Sequence, residues 1–364
     1  MIVSRYLTKE ISHTLLGVIL VLLLVFVSGS LVRLLYEAAE GGIPAEAIFA
    51  LLVLNNITTL EMLLPLALYL AVLLGLGRLY KDSEMTALAA CGVGNARILR
   101  TVFRFSLVIA LMTAALSLQI APWAEGQLRA IMAQAAANVD VRGIVAGRFL
   151  PIKGQDAVLY VESVDKEKLV LHNVFVQQAE DSRLHIMTAN SGYQYTDGET
   201  GQRFLVLEDG QRYQIDYGGG YAMLEFERHT LLIRASETSG AARRRKARDS
   251  LTLWRSPETP DRAELQRRLS MALWAVVLGV MAVPLSHTSP RQGRYARVLV
   301  AIIIFVLYSN LLNIAKTWME DGTMPAAIGL WWVHGIMGLL TLGLLLQEAG
   351  VLSSWRVRSE ARRA

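Results

Sequence analysis

Apolar residues gather in six stretches, at 14 to 36, 57 to 79, 101 to 121, 269 to 286, 297 to 315 and 327 to 347. Each approaches the roughly 20 residues that carry a helix across about 30 Å of hydrocarbon. They form two groups of three. Between the groups, from about 148 to 234, the period changes. Ala157 to Val164, Leu169 to Val176, Arg203 to Leu207 and Arg212 to Tyr217 are β-branched, aromatic and partly alternating, which is a strand pattern. Asp197-Gly198, Asp209-Gly210 and the run Gly218 to Gly220 read as the turns that part them. Several short strands at this spacing predict a sandwich or open barrel, and the roughly 85 to 100 residues available are enough for a separate core. The expected fold class is therefore α+β: a membrane protein of six transmembrane helices with a β-domain inserted between helices 3 and 4. The first apolar run has no small-residue cleavage site and exceeds a signal-peptide core, so it is expected to stay as a span.

Charge adds an orientation. Arg5 and Lys9 precede the first span, Arg78, Lys81, Arg97 and Arg100 bracket the loop between spans two and three, and Arg291, Arg294 and Arg297 fill the loop between four and five. Arg356, Arg358, Arg362 and Arg363 close the tail. All of these fall on one side, whereas the loop at 37 to 49 carries Glu37, Glu40 and Glu46 without Lys or Arg. The positive-inside rule then places both termini in the cytoplasm and the insert outside. The net charge of +5 is accounted for by topology, and no nucleic acid is needed as a partner. The single cysteine, Cys91, cannot form an internal disulfide and reads as a small buried helix residue.

Two local features stand out. The helical pattern of the second span can run from Pro44 to Tyr80, roughly 55 Å at 1.5 Å per residue, with Asn55, Asn56, Thr58, Thr59 and Glu61 making its outer half polar and Pro65 placed to kink it. A polar stripe there suits a helix that lines a cavity, and Glu61 reads either as a cavity carboxylate or as an acid at the interface or paired to a neighbouring helix. Between spans two and three lies a short acidic-capped segment, 82 to 92. Asp82 or Ser83 can cap it, Glu84 suits its N-terminal dipole, and Gly92 can end it after about nine residues. Met85, Leu88 and Ala89 share a face, which can rest on the span ends or dock into a cytosolic partner. The run Arg243 to Lys246, followed by Ser256 to Pro260, reads as a solvated, turn-rich return segment.

Catalysis is not supported by any of this. There is no His-Glu-x-x-His and no Gly-x-Ser-x-Gly, the six histidines are scattered without metal-ligand spacing, and no Gly-x-x-x-x-Gly-Lys-Ser/Thr loop offers a nucleotide cradle. No catalytic residue, metal or cofactor is expected. His334 in span six reads as a packing residue. A non-transporting assembly factor remains a rival, although it would not need the acidic-capped cytoplasmic helix together with a long polar-faced span. The lipoprotein-releasing type of permease, with four spans, does not match the count.

Arg5-Tyr-Leu, Gly42-Ile-Pro-Ala45, Leu64-Pro-Leu-Ala-Leu-Tyr-Leu70, the stretch Leu76 to Gly94, Pro122-Trp123, Val283-Pro-Leu-Ser286 and Ser289-Pro-Arg-Gln-Gly-Arg294 together resemble the LptF/LptG permease family of lipopolysaccharide export. The likeness covers essentially the whole chain and leans toward the F-type over the G-type subunit. The resemblance implies six spans with a periplasmic β-jellyroll at 122 to 262, after a first bundle at 1 to 121 and before a second at 263 to 364. It implies a heterodimer with an LptG-type permease, two copies of the ATPase LptB docked on coupling helices, and delivery of lipopolysaccharide to LptC and an LptA-type periplasmic bridge. The segment 82 to 92, with Asp82, Ser83, Glu84, Met85 and Leu88, then corresponds to the coupling helix. An amphiphile with anionic phosphates needs an apolar cavity rimmed by cations. Arg33 is placed for that rim, or as a snorkelling anchor, and Glu61 is the cavity-side candidate.

Overall fold

The computed structural model describes residues 2–39, 43–138, 146–152, 157–165, 170–180, 183–196, 203–216, 220–233, 237–287 and 294–348. Asp197-Gly198, most of the loop after span four and the cationic tail lie outside these residues. The first helices are α1 (Ile2–Ala39), α2 (Ile48–Lys81), the short α3 (Glu84–Ala90) and α4 (Asn95–Ala115), which passes through a π turn (Leu116–Ile120) into α5 (Ala121–Asn138). After the strands come α6 (Glu237–Lys246), α7 (Ser250–Arg255), α8 (Thr259–Ser286), α9 (Arg294–Glu320) and α10 (Trp331–Glu348). Among the described residues, five helical stretches are long and apolar enough to cross a membrane: Ile2–Ala39, Ala45–Lys81, Asn95–Ala133, Thr259–Ser286 and Val298–Glu320. The sixth expected span corresponds to α10, which is shorter at 18 residues and carries His334, Gln347 and Glu348.

The chain divides into two compact units, one from Met1–Gly29, Leu54–Gly126 and Arg245–Ala364, the other from Ser30–Val53 and Gln127–Arg244. In the first, Leu7, Leu68, Tyr69, Leu76 and Leu79 of the early helices share a buried core with Trp274, Leu278 and Tyr308 of the late ones. Leu16, Leu20 and Leu24 stay exposed on α1, as a lipid-facing stripe would. His334 is buried and its Nδ1 lies 2.6 Å from the Tyr308 hydroxyl, the packing role expected of it. Cys91 is exposed, not buried, because it sits at the C-terminal end of α3 and not inside a helix face.

The helix after the third span does not stop at Pro122. Proline has no N–H to give the carbonyl four residues back, that of Leu118, so a continuing helix would leave this carbonyl unpaired. Here the Ser250 hydroxyl from α7 donates to the Leu118 oxygen at 2.6 Å, and the π turn absorbs the local change of pitch.

In the second unit six strands form one antiparallel sheet in chain order: β1 (Phe149–Ile152), β2 (Ala157–Asp165), β3 (Val170–Glu180), β4 (Arg183–Thr196), β5 (Arg203–Asp216) and β6 (Tyr221–Ile233). One face buries Val161, Leu171, Val174, Val176, Met187, Leu205 and Leu207. The reading of Asp209-Gly210 as a turn between strands is corrected: Arg203 to Leu207 and Arg212 onward are one strand, β5, of 14 residues. The Asp-Gly signal has a different cause. Regular pairing skips Glu162, Asn173, Asn190, Asp209 and Glu227, one residue on each of five neighbouring strands, while their neighbours on either side pair normally. Asn173 and Asp209 have positive φ, 50° and 51°, a conformation Asn and Asp tolerate better than most residues. The skipped residues face one another and the register is the same on either side, so the strands share one aligned break in pairing and not a set of two-against-one bulges. The alternation shifts by one at this line, so Leu171 and Val174, three apart, still face the same core.

Candidate functional site

The connector between α2 and α4 forms a helix of seven residues, shorter than the nine expected. Ser83 stands at its N-cap in the left-handed region, φ 61°, and makes no side-chain cap, which corrects the capping role expected of it. The first helical bond instead runs from the Ala87 N–H to the Ser83 carbonyl at 3.1 Å. Gly92, at φ 79°, ends the segment as its lack of a Cβ allows. Met85 is buried and Leu88 half-buried against the helical core, so this face rests on the spans. Asp82 and Ser83 are exposed, and Glu84 accepts a hydrogen bond from the Tyr6 hydroxyl of α1 at 2.5 Å.

At the other end of α2, Glu61 is paired. Its Oε1 lies 2.6 Å from Nη1 of Arg267 on α8, while its Oε2 is buried with no hydrogen-bond partner. The hydroxyls of Thr58 and Thr59 turn back to the Asn55 carbonyl of their own helix, at 2.9 and 2.8 Å. Arg267 also forks onto Glu264 one turn earlier, with Nη2 to Oε1 at 2.9 Å and Nε to both oxygens at 3.1 Å. Lys316 of α9 reaches the same carboxylate at 2.9 Å. Glu320 continues the chain to Arg245 of α6 at 3.2 Å, and Arg245 and Arg248 meet at Asp261, at 3.4 and 2.7 Å. Arg268, fully buried, donates to the Ser250 hydroxyl at 2.7 Å and to the carbonyls of Lys246 and Arg248 at 3.0 and 2.9 Å.

Four carboxylates and five cations thus link α2, α6, α8 and α9 and the loop before α7. Such a cluster is tolerable away from water only because nearly every charge has an opposite neighbour. The return segment is helical and solvated in part: Arg244 and Lys246 are exposed as expected of a solvated run, while Arg245 and the Lys246 carbonyl enter the network. Sequence reasoning reached Glu61 alone. The signal for the rest was present in Glu264, Arg267 and Arg268, whose spacing of three and four puts them on one helix face at the mouth of a span.

Arg33 is exposed on α1 and forms no ion pair among the described residues. The connector residues, Glu61 and Arg33 are therefore at three separate places along the chain's helices, and only Glu61 enters the charge network. In the inserted sheet, the line of skipped pairs opens into a trough of about 740 Å³ whose polar lining includes Glu162, Asn173, Asn190, Asp209, Glu225 and Glu227. Its walls are acidic, whereas Val161, Leu171 and Met187 belong to the buried apolar cluster of this unit.

Comparison with known proteins matches the profile of the lipopolysaccharide export system permease LptF/LptG family to residues 5–347. The lipopolysaccharide export system permease protein LptF of Escherichia coli K12 is 29% identical over 357 residues, covering 96% of this chain and 95% of the relative. The protein of the same name from Shigella flexneri is similar to the same extent.

Proposed function

The chain belongs to the LptF/LptG family of lipopolysaccharide export permeases, and on that premise we propose that it is the F-type subunit of an ATP-driven transporter in the inner membrane. It pairs with a G-type permease, and two LptB-type ATPases in the cytosol supply the energy, since this chain carries no P-loop sequence. Lipopolysaccharide leaves the outer leaflet and passes through the inserted, periplasmic β-domain to LptC and an LptA-type bridge. The cations on the short loops support cytoplasmic termini and an outer insert.

The observation that carries this reading is the connector, a seven-residue helix fixed to the bundle by Met85 and Leu88 with an acidic outer end. Met85 and Leu88 make it move with the spans; Asp82, Ser83 and Glu84 are the part a docked ATPase can grip. ATP-driven rocking of the bundle is then a rigid-body transition transmitted through α3. At the far side, Arg33 attracts the anionic phosphates of the lipid. Glu61 acts through Arg267, holding α2 to α8 at one stage of the cycle.

Glu84→Lys tests the assignment. Removing one member of a partly buried charge pair costs about 2–5 kcal/mol, so ATPase copurification should fall by tenfold or more and lipid export should stop. Glu84→Ala should do less, and Tyr6→Phe, which removes only the internal hydrogen bond, should keep export. Normal ATPase association in Glu84→Lys would make the segment an ordinary connector.

A further inference from the structure

The first turns of α1 and the second to fourth turns of α4 flank an open groove of about 570 Å³ that the proposed transport route does not use. Both helices present side chains at helical spacing toward it: Ser4, Arg5, Thr8 and Lys9 from one, Thr101, Arg104, Phe105 and Val108 from the other. Three cations converge, and no carboxylate lines the wall among the described residues. Arg5, Lys9 and Arg104 form no ion pair there either, although acids are close in sequence. Glu10, next to Lys9, is held by Arg78 at 3.0 Å, and Glu84 by Tyr6. Arg5, Lys9 and Arg104 are exposed, so the groove presents three positive charges together, and an anion lodged there is attracted by all three.

The depth narrows the choice of anion. The apolar run of α1 begins near residue 14 and that of α4 near 101, with Arg104 in its first turn, so the cations stand where hydrocarbon gives way to headgroups. Phe105 and Val108 extend the same groove on its apolar side. We infer that this groove is a binding site for the phosphate headgroup of an anionic glycerophospholipid, with Ser4 and Thr8 adding hydroxyl donors and an acyl chain lying along Phe105 and Val108. The site depends on the proposed orientation only for the leaflet from which the lipid comes, the cytoplasmic one; lipid retention is measured without reference to export or to Glu84.

The full-length permease complex, purified from nanodiscs of phosphatidylethanolamine and phosphatidylglycerol, is washed in mild detergent and its retained lipid quantified by mass spectrometry. The wild type should keep phosphatidylglycerol selectively. Arg5→Gln, Lys9→Gln and Arg104→Gln should each weaken retention roughly fivefold, and the triple variant should lose it. Arg5→Lys with Arg104→Lys preserves charge and should retain most of the lipid, which separates binding from misfolding. Lys81→Gln with Arg97→Gln removes two cations outside the groove and should change little. Retention unchanged in the triple variant, or equal loss in the outside pair, would overturn the site. Displacement of the lipid by millimolar inorganic phosphate would make it a free-anion site and overturn the lipid assignment.

Discussion

Carboxylates in the α8 cluster are unequal in what they hold. Glu264 faces Arg267, Lys316 and Arg268 at once, at 2.9, 2.9 and 3.5 Å, whereas Glu61 faces Arg267 only. Glu264→Gln leaves Lys316 with Glu320 at 3.7 Å and strips Arg268 of its acid, so about 3–5 kcal/mol should be lost, seen as a lowered midpoint of thermal unfolding in detergent. Glu61→Gln keeps an oxygen for Arg267 and the Glu264 fork intact, and should cost about 1 kcal/mol or less. Equal losses would move the centre of the network to the α2–α8 contact. The sequence drew attention to Glu61 because a carboxylate in an apolar helix is expensive. Its partner lies 206 residues away, and hydrophobic periodicity, a local signal, carries nothing about pairings at that distance. Ser83 failed for a related reason: its type suits a cap, but the chain enters α3 through a left-handed residue that aims the hydroxyl elsewhere.

Among elements, α4 and α8 form an extensive helix pair. A Cβ built on Gly279 would run into Ser106 and come within 3.2 Å of Leu68 Cδ2. Gly279→Ala should therefore destabilise by about 1–3 kcal/mol through overpacking, and Ser106→Gly in the same chain should recover part of it, the non-additivity marking direct contact. Thermal unfolding of the four species measures this; strict additivity would refute the contact. The long helices were legible because an apolar run of membrane length is far longer than a soluble core of this size needs, and a bilayer is what can cover it. The strands were legible as a class and not in their lengths, since Asp209-Gly210 has the composition of a turn but lies inside one strand, with Asp209 in the left-handed region and out of the pairing. What separates the two is the partner strand, whose Asn190 skips pairing at the same line.

For the molecule as a whole, the cations of the short loops set an orientation that labelling reads directly. In a Cys91→Ala background, single cysteines at positions 38, 190 and 290 should react with an impermeant maleimide from outside, outside and inside respectively. Labelling of position 190 only after permeabilisation would reverse the topology and the transport direction with it. The division into two units also has a temporal side. Gly279 and its surroundings on α8 are what cover Ser106 and the adjoining apolar surface of α4, and the entire insert is translated between them. At about 5–20 residues per second, the first three helices wait on the order of ten to thirty seconds in the bilayer with that flank unfilled. During this interval the nascent protein is a half-bundle with a sticky, hydroxyl-lined groove, exposed to any passing helix before its own arrives.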